Sequence, residues 1–196
     1  MAQQTQIILY FHGFLSSPQS EKAQQMIHYC HEIAGVEVVA PQLPDEMREL
    51  PAFLERLVNR YEGRILGIMG SSLGGYYATY VSQMIARPAV LVNPAVAPFR
   101  LVEQYDTQHV NPYTSHAFTL DERDLAGLHQ LHLETLPTPD NIWLLQQEGD
   151  EVLDFREAVA KYHACKQTVE PGGNHRFVGF ERYLPEIMTF FWDRER

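Results

Sequence analysis

Short apolar runs recur along the chain, and most are followed by a stretch whose apolar residues return every three or four positions. The runs at Ile7–Phe11, Val36–Ala40, Ile65–Met69, Ala89–Val92, Ile142–Gln146 and Gln167–Val169 are brief and bounded. Such runs predict strands of a parallel sheet buried between layers. Between them, Ala23, Met26, Ile27, Cys30 and Ile33 stripe a helix from about Pro18 to Ala34, with Ser17 as its cap and Gly35 as its stop. Leu54, Leu57, Val58 and Tyr61 stripe a second helix, opened by Pro51 and closed by Gly63. Tyr76 to Ile85 is apolar on nearly every face, which predicts a helix inside the core. Phe155–Tyr162 is a further helix, and a closing one carries Leu184, Ile187, Met188 and Phe191, with Pro185 in its first turn or kinking it. Strands alternating with helices imply right-handed crossovers, hence an α/β, doubly wound and mostly parallel sheet with helices on both faces.

From about Pro98 to Pro139 the rhythm breaks. Asn111-Pro112 marks a turn, and Thr119-Leu120-Asp121-Glu122 resembles a capping box opening a short helix with Leu125, Leu128 and Leu131. This stretch holds Tyr105, Tyr113, Phe118 and four of the nine histidines. It predicts an insertion, residues 98–139, covering one edge of the sheet within a single domain of 196 residues. His129 and His132 stand without a cysteine or carboxylate at a familiar ligand spacing, so they read as surface histidines and not as a metal site.

Composition narrows the field. Twenty-five acids against 15 bases give a net charge of −10, which argues against a general nucleic-acid binder and offers no polybasic membrane patch. No apolar run approaches the length of a membrane span, and the N-terminal MAQQTQIILYF has no signal-peptide pattern. Two cysteines, Cys30 and Cys165, form no framework and no C-x-x-C, which points to a reduced, cytoplasmic setting.

The chemistry concentrates at strand ends. Gly70-Ser71-Ser72-Leu73-Gly74-Gly75 joins the third strand to the buried helix, and only Ser72 has a glycine two residues away on each side. A strand, sharp turn and helix around G-x-S-x-G is the setting of a nucleophilic serine. A serine hydroxyl needs a base within reach, and a neutral imidazole serves if a carboxylate orients its other nitrogen. Asp150 directly follows the fifth strand, and His175 follows the sixth by one turn. Each has a plainer reading, Asp150 or Asp154 as a helix cap and His175 as a turn residue. Their order Ser72, Asp150, His175, each after its own strand, favours a triad. His12 also ends a strand and is the competing base; we expect its ring to bond the loop backbone. The N–H groups of Phe14 and Leu73 are the expected oxyanion donors. Tyr105, Tyr113 and Phe118 are candidates for an acyl pocket, or for packing the insertion onto the sheet.

The stretches YFHGFLSSPQSEKA, GSSLGGYYATY, LVNPAVAP, EGDEVLD and GGNHRFVGFERY together resemble the α/β-hydrolase superfamily, and more narrowly the small bacterial esterases of the YqiA kind. The resemblance spans nearly the whole chain and implies hydrolysis of carboxyl esters or thioesters by Ser72, Asp150 and His175, without a cofactor or metal. Here the first strand already carries the His-Gly oxyanion loop, so the two leading antiparallel strands of the larger superfamily are expected to be missing. That leaves a minimal sheet of about six strands with a small helical lid. The implied partner is a small-molecule acyl ester or thioester. The rival readings are an acyl-CoA thioesterase, a peptidase or lactonase, and a non-catalytic binding module on the same fold. The last would be expected to lack a triad member.

Overall fold

The computed structural model describes residues 4–102 and 108–195. Its strands and helices run in the order β1 (Gln6–Phe11), α1 (Glu21–His31), β2 (Val36–Val39), α2 (Leu50–Arg60), β3 (Ile65–Ser71), α3 (Leu73–Ile85), β4 (Ala89–Val92), α4 (Phe99–Val102), β5 (Gln108–Val110), β6 (Ala117–Thr119), α5 (Glu122–Gln130), β7 (Ile142–Gln147), α6 (Phe155–Lys161), β8 (Lys166–Glu170) and α7 (Leu184–Asp193). Six strands form one parallel sheet in the order β2-β1-β3-β4-β7-β8. All six carboxyl ends therefore lie on one edge, where open α/β sheets hold their sites.

Alternate side chains of each strand point to opposite layers. On one face Ile7, Leu9, Phe11, Ile68 and Leu144 meet α2, α3 and α6 through Leu50, Leu54, Tyr77, Val81 and Ala158. On the other, Ile8, Tyr10, Met69, Val90 and Trp143 meet α1 and α7 through Met26, Cys30, Ile187 and Phe191. The Trp143 indole N–H, buried with the ring, donates to Thr168 Oγ1 at 3.0 Å.

Two helix starts differ from the sequence pattern. Ser17 Oγ accepts the Gln19 N–H at 3.0 Å, closing a local turn, so α1 starts at Glu21 and Pro18 stays outside it. Farther on, the capping box is set by Asp121 and Asp124, two residues after Thr119. Asp121 accepts the Arg123 N–H, and Asp124 accepts the Asp121 N–H at 3.0 Å. Pro185 lies in the first turn of α7.

Between β4 and β7 the chain builds a two-stranded antiparallel ribbon, β5 with β6, and then α5. Buried Asp124 of α5 accepts the Arg48 N–H at 3.0 Å and an Arg48 guanidinium N–H at 3.3 Å. Gly127 brings α5 so close to the Met47 carbonyl that a Cβ there would stand 2.4 Å from its oxygen. The Tyr76 hydroxyl donates to the Leu128 carbonyl at 2.7 Å. These contacts hold the insertion over the loop that follows β2 and over the start of α3.

Candidate active site

Ser72 stands alone in the turn between β3 and α3, with φ 55° and ψ −123°, a left-sided conformation rare for a residue bearing a Cβ. The flanking glycines are a packing requirement. A Cβ on Gly70 would lie 2.0 Å from the Gly74 oxygen, and one on Gly74 would lie 2.0 Å from the Phe11 oxygen. The turn is held by backbone bonds. The Ser72 N–H donates to Val92 at 3.1 Å, and its carbonyl accepts from Gly75 at 2.9 Å and Ala95 at 3.0 Å.

His175 Nε2 lies 3.0 Å from Ser72 Oγ, and Nδ1 lies 2.8 and 2.9 Å from the two Asp150 carboxylate oxygens. An ionised carboxylate only accepts, so Nδ1 carries the proton and Nε2 is left to accept from the serine hydroxyl. The Asp150 side chain is 0% exposed. Burial pushes its carboxyl up, but the His175 ring and the Leu153 and Val152 N–H groups, each 2.9 Å from Oδ1, outweigh burial and hold it below the usual aspartate value. Glu151 accepts the His175 backbone N–H at 2.9 Å. Asp154 lies apart from this chain of bonds; it is the N-cap of α6 and accepts the Arg156 N–H at 3.0 Å.

His12 is bound into its loop, as expected. Nδ1 donates to the Gly13 carbonyl at 2.9 Å, and Nε2 accepts the Leu43 N–H at 3.1 Å. Burial lowers its pKa, against the raising effects of the Gly13 carbonyl and Asp45. Its neighbour Gly13 packs against Ser72: a Cβ there would lie 3.3 Å from Ser72 Cβ. Phe14 follows immediately, and Leu73 opens α3, where the first N–H groups have no partner within the helix.

A cavity of about 380 Å³ opens beside Ser72. Its wall is chiefly apolar and includes Phe14, Leu15, Met47, Leu73, Leu120 and Leu153. Of the three aromatic candidates, Tyr105 lies outside the described residues. Tyr113 is 56% exposed and not in the wall. Phe118 is 5% exposed and backs the wall, edge-on to Phe14 at 6.0 Å between ring centres. The aliphatic residues that line the cavity escaped the sequence reading. Val152 and Leu153 carried one usable signal, since they lie within three residues of Asp150.

Among the described residues no group of three metal-ligating side chains converges. His129 and His132 pack instead on Phe99, with ring centres at 4.2 and 5.1 Å. No helix among the described residues is long and apolar enough to cross a membrane.

A parallel sheet in this order, with a serine in the sharp turn after the third strand, is the α/β-hydrolase fold. Est1E from Butyrivibrio proteoclasticus superposes with a TM-score of 0.73 at 14% identity, over 98% of this chain and 89% of that one. Mouse alpha/beta hydrolase domain-containing protein 10 gives 0.70 at 14% identity, over 98% and 90%. A monoacylglycerol lipase from Paleococcus ferrophilus gives 0.63 at 16% identity, over 97% and 96%. By its sequence the chain belongs to UPF0227, an uncharacterised protein family whose pattern it matches over residues 7–192.

Proposed function

We propose that the protein is a serine esterase that hydrolyses acyl esters through an acyl-enzyme intermediate. The observation that carries this reading is the unbroken chain from Ser72 Oγ through the His175 ring to buried Asp150, beside an apolar cavity. Ser72 Oγ attacks the ester carbonyl as its proton passes to His175 Nε2. The carbonyl π electrons move onto oxygen, which the N–H groups of Phe14 and Leu73 receive; each such donor is worth roughly 3 kcal/mol in comparable sites. The carbon–oxygen bond to the leaving alcohol then breaks, and the imidazolium returns the proton to that alcohol. A water molecule repeats the sequence on the acyl-enzyme and frees the acid and Ser72.

Several features favour a neutral ester over acyl-CoA. The cavity wall suits an uncharged acyl group. Arg100 and Arg176, two candidates for greeting nucleotide phosphates, face carboxylates instead, Glu157 at 3.7 Å and Glu21 at 3.5 Å. Among the structural neighbours are an esterase domain from Rhodothermus marinus and the Paleococcus ferrophilus lipase, and Est1E was solved with ferulic acid bound. In this reading the whole chain is one domain and residues 98–139 act as its lid. Free Cys30 and Cys165 suit a reducing cytoplasm.

A fluorophosphonate probe should label Ser72, and Ser72→Ala should lose both labelling and turnover across p-nitrophenyl esters of increasing chain length. Label found on Ser71 alone, or full turnover in Ser72→Ala, would end this reading. Turnover of acyl-CoA in preference to every ester would redirect it to the thioesterase.

A further inference from the structure

The turn after β4 holds a residue that the mechanism above leaves unused. Asn93 is 1% exposed and has φ 42°, a left-handed conformation that asparagine tolerates better than most residues. Its side-chain Nδ2 donates to the carbonyl of Asn174 at 2.9 Å and to that of His175 at 3.1 Å. Its Oδ1 accepts the N–H of Gln147, the last residue of β7, at 2.9 Å. The orientation of this amide is forced: the two carbonyls can only accept and the Gln147 N–H can only donate. Meanwhile the backbone on either side of Asn93 grips the nucleophile, with Val92 accepting the Ser72 N–H and Ala95 donating to the Ser72 carbonyl.

Gln147 extends the connection. Its Oε1 accepts the N–H groups of Asn174 at 3.2 Å and Val178 at 2.9 Å, on either side of His175. One buried amide is thus bonded into the histidine turn and into the strand that leads to Asp150. It does so from a turn whose neighbouring bonds fix Ser72.

We propose that Asn93 is a positioning residue that sets the distance between Ser72 and His175 by tying together the three loops that carry the triad. It touches no substrate atom and acts through the His175 backbone. Its activity readout rests on the esterase reading above. Removing the amide takes one of two donors from the Asn174 carbonyl, which keeps the Phe177 N–H at 3.0 Å, and takes from the His175 carbonyl and the Gln147 N–H the partner they have in Asn93, so the histidine turn is freer to shift. A shift on the order of 1 Å in a catalytic group costs about 100-fold in rate.

The test uses the full chain with Asn93→Gly, which suits the left-handed backbone, and Asn93→Asp, which keeps the acceptor for Gln147 but turns an oxygen toward both carbonyls. The expected result is a kcat about 100-fold lower with KM little changed, and fluorophosphonate labelling slowed to match. Independently of any substrate, the low-field proton NMR signal of His175 Nδ1 against Asp150 should shift or broaden in both variants. A folded variant that keeps wild-type kcat and an unmoved low-field signal overturns the proposal, even if it melts at a lower temperature. If the wild-type protein neither labels nor turns over esters, the esterase reading falls, and the NMR signal alone decides the role of Asn93.

Discussion

Ser72 gives up stability for its position. A Cβ-bearing residue at φ 55° and ψ −123° carries strain on the order of 1–3 kcal/mol, which glycine would not. Ser72→Gly should therefore melt higher than the wild type while losing all turnover, and Ser72→Ala should lose turnover without that gain; differential scanning calorimetry separates the two. The carboxylates after β7 divide their work in a way that is also measurable. Asp150→Asn should keep the fold and cut kcat by about 10⁴, as the equivalent change does in a well-studied triad, by favouring the wrong imidazole tautomer. Asp154→Ala should keep turnover and lose about 1 kcal/mol with the cap of α6. Turnover lost at Asp154 and kept at Asp150 would move the acid four residues along the chain.

The depressed pKa of Asp150 adds a pH dependence of known sign. An unfolded aspartate titrates near 3.9. The folded value is lower, so the ionised carboxylate contributes its full stability above the unfolded value and loses it as pH falls through the folded one. Acid unfolding followed by circular dichroism should be less steep in Asp150→Asn below about pH 4. Ser72 and Asp150 stood out in the sequence because each follows an apolar run, whereas His175 stood out by its glycine-rich turn, since the strand before it, Lys166–Glu170, is largely polar. Asn93 was hidden because Asn-Pro after a strand reads as a stop signal, and nothing local shows that its amide reaches the His175 turn. Tyr113 attracted notice as an aromatic residue, but spacing alone does not say that it faces outward.

Among the elements, the docking of α7 on β3 depends on one absent methyl group. A Cβ on Gly67 would meet the Phe191 ring at 2.5 Å. Gly67→Ala should cost about 1–3 kcal/mol through overpacking. Pairing it with Phe191→Leu should recover part of that loss, a coupling that urea denaturation of the two single variants and the double variant would expose. The six sheet strands were legible to within a residue or two, the inner four as buried apolar runs and the edge strands β2 and β8 by their place in the alternation with helices. The ribbon of β5 and β6 was not. Each strand has three residues, Gln108 and Val110 are exposed, and no alternation marks them. The start of α1 was misplaced for a related reason, because the Ser17 side chain satisfies a backbone N–H in a turn as readily as at a cap.

At the scale of the molecule, the sheet order separates what the chain lists in sequence. Ser72 rises from β3, inside the sheet, while Asp150 and His175 come from β7 and from the edge strand β8. Ser72 and His175 are 103 residues apart, yet they share a hydrogen bond. On the ribosome Ser72 accordingly emerges well before His175, and a domain generally folds as a unit. Until β7 and β8 have joined the sheet, Ser72 is an ordinary alcohol with no partner to take its proton. In the esterase proposed above, a half-made chain is therefore chemically silent, and esters in its surroundings meet a reactive serine only when the last strand is in place.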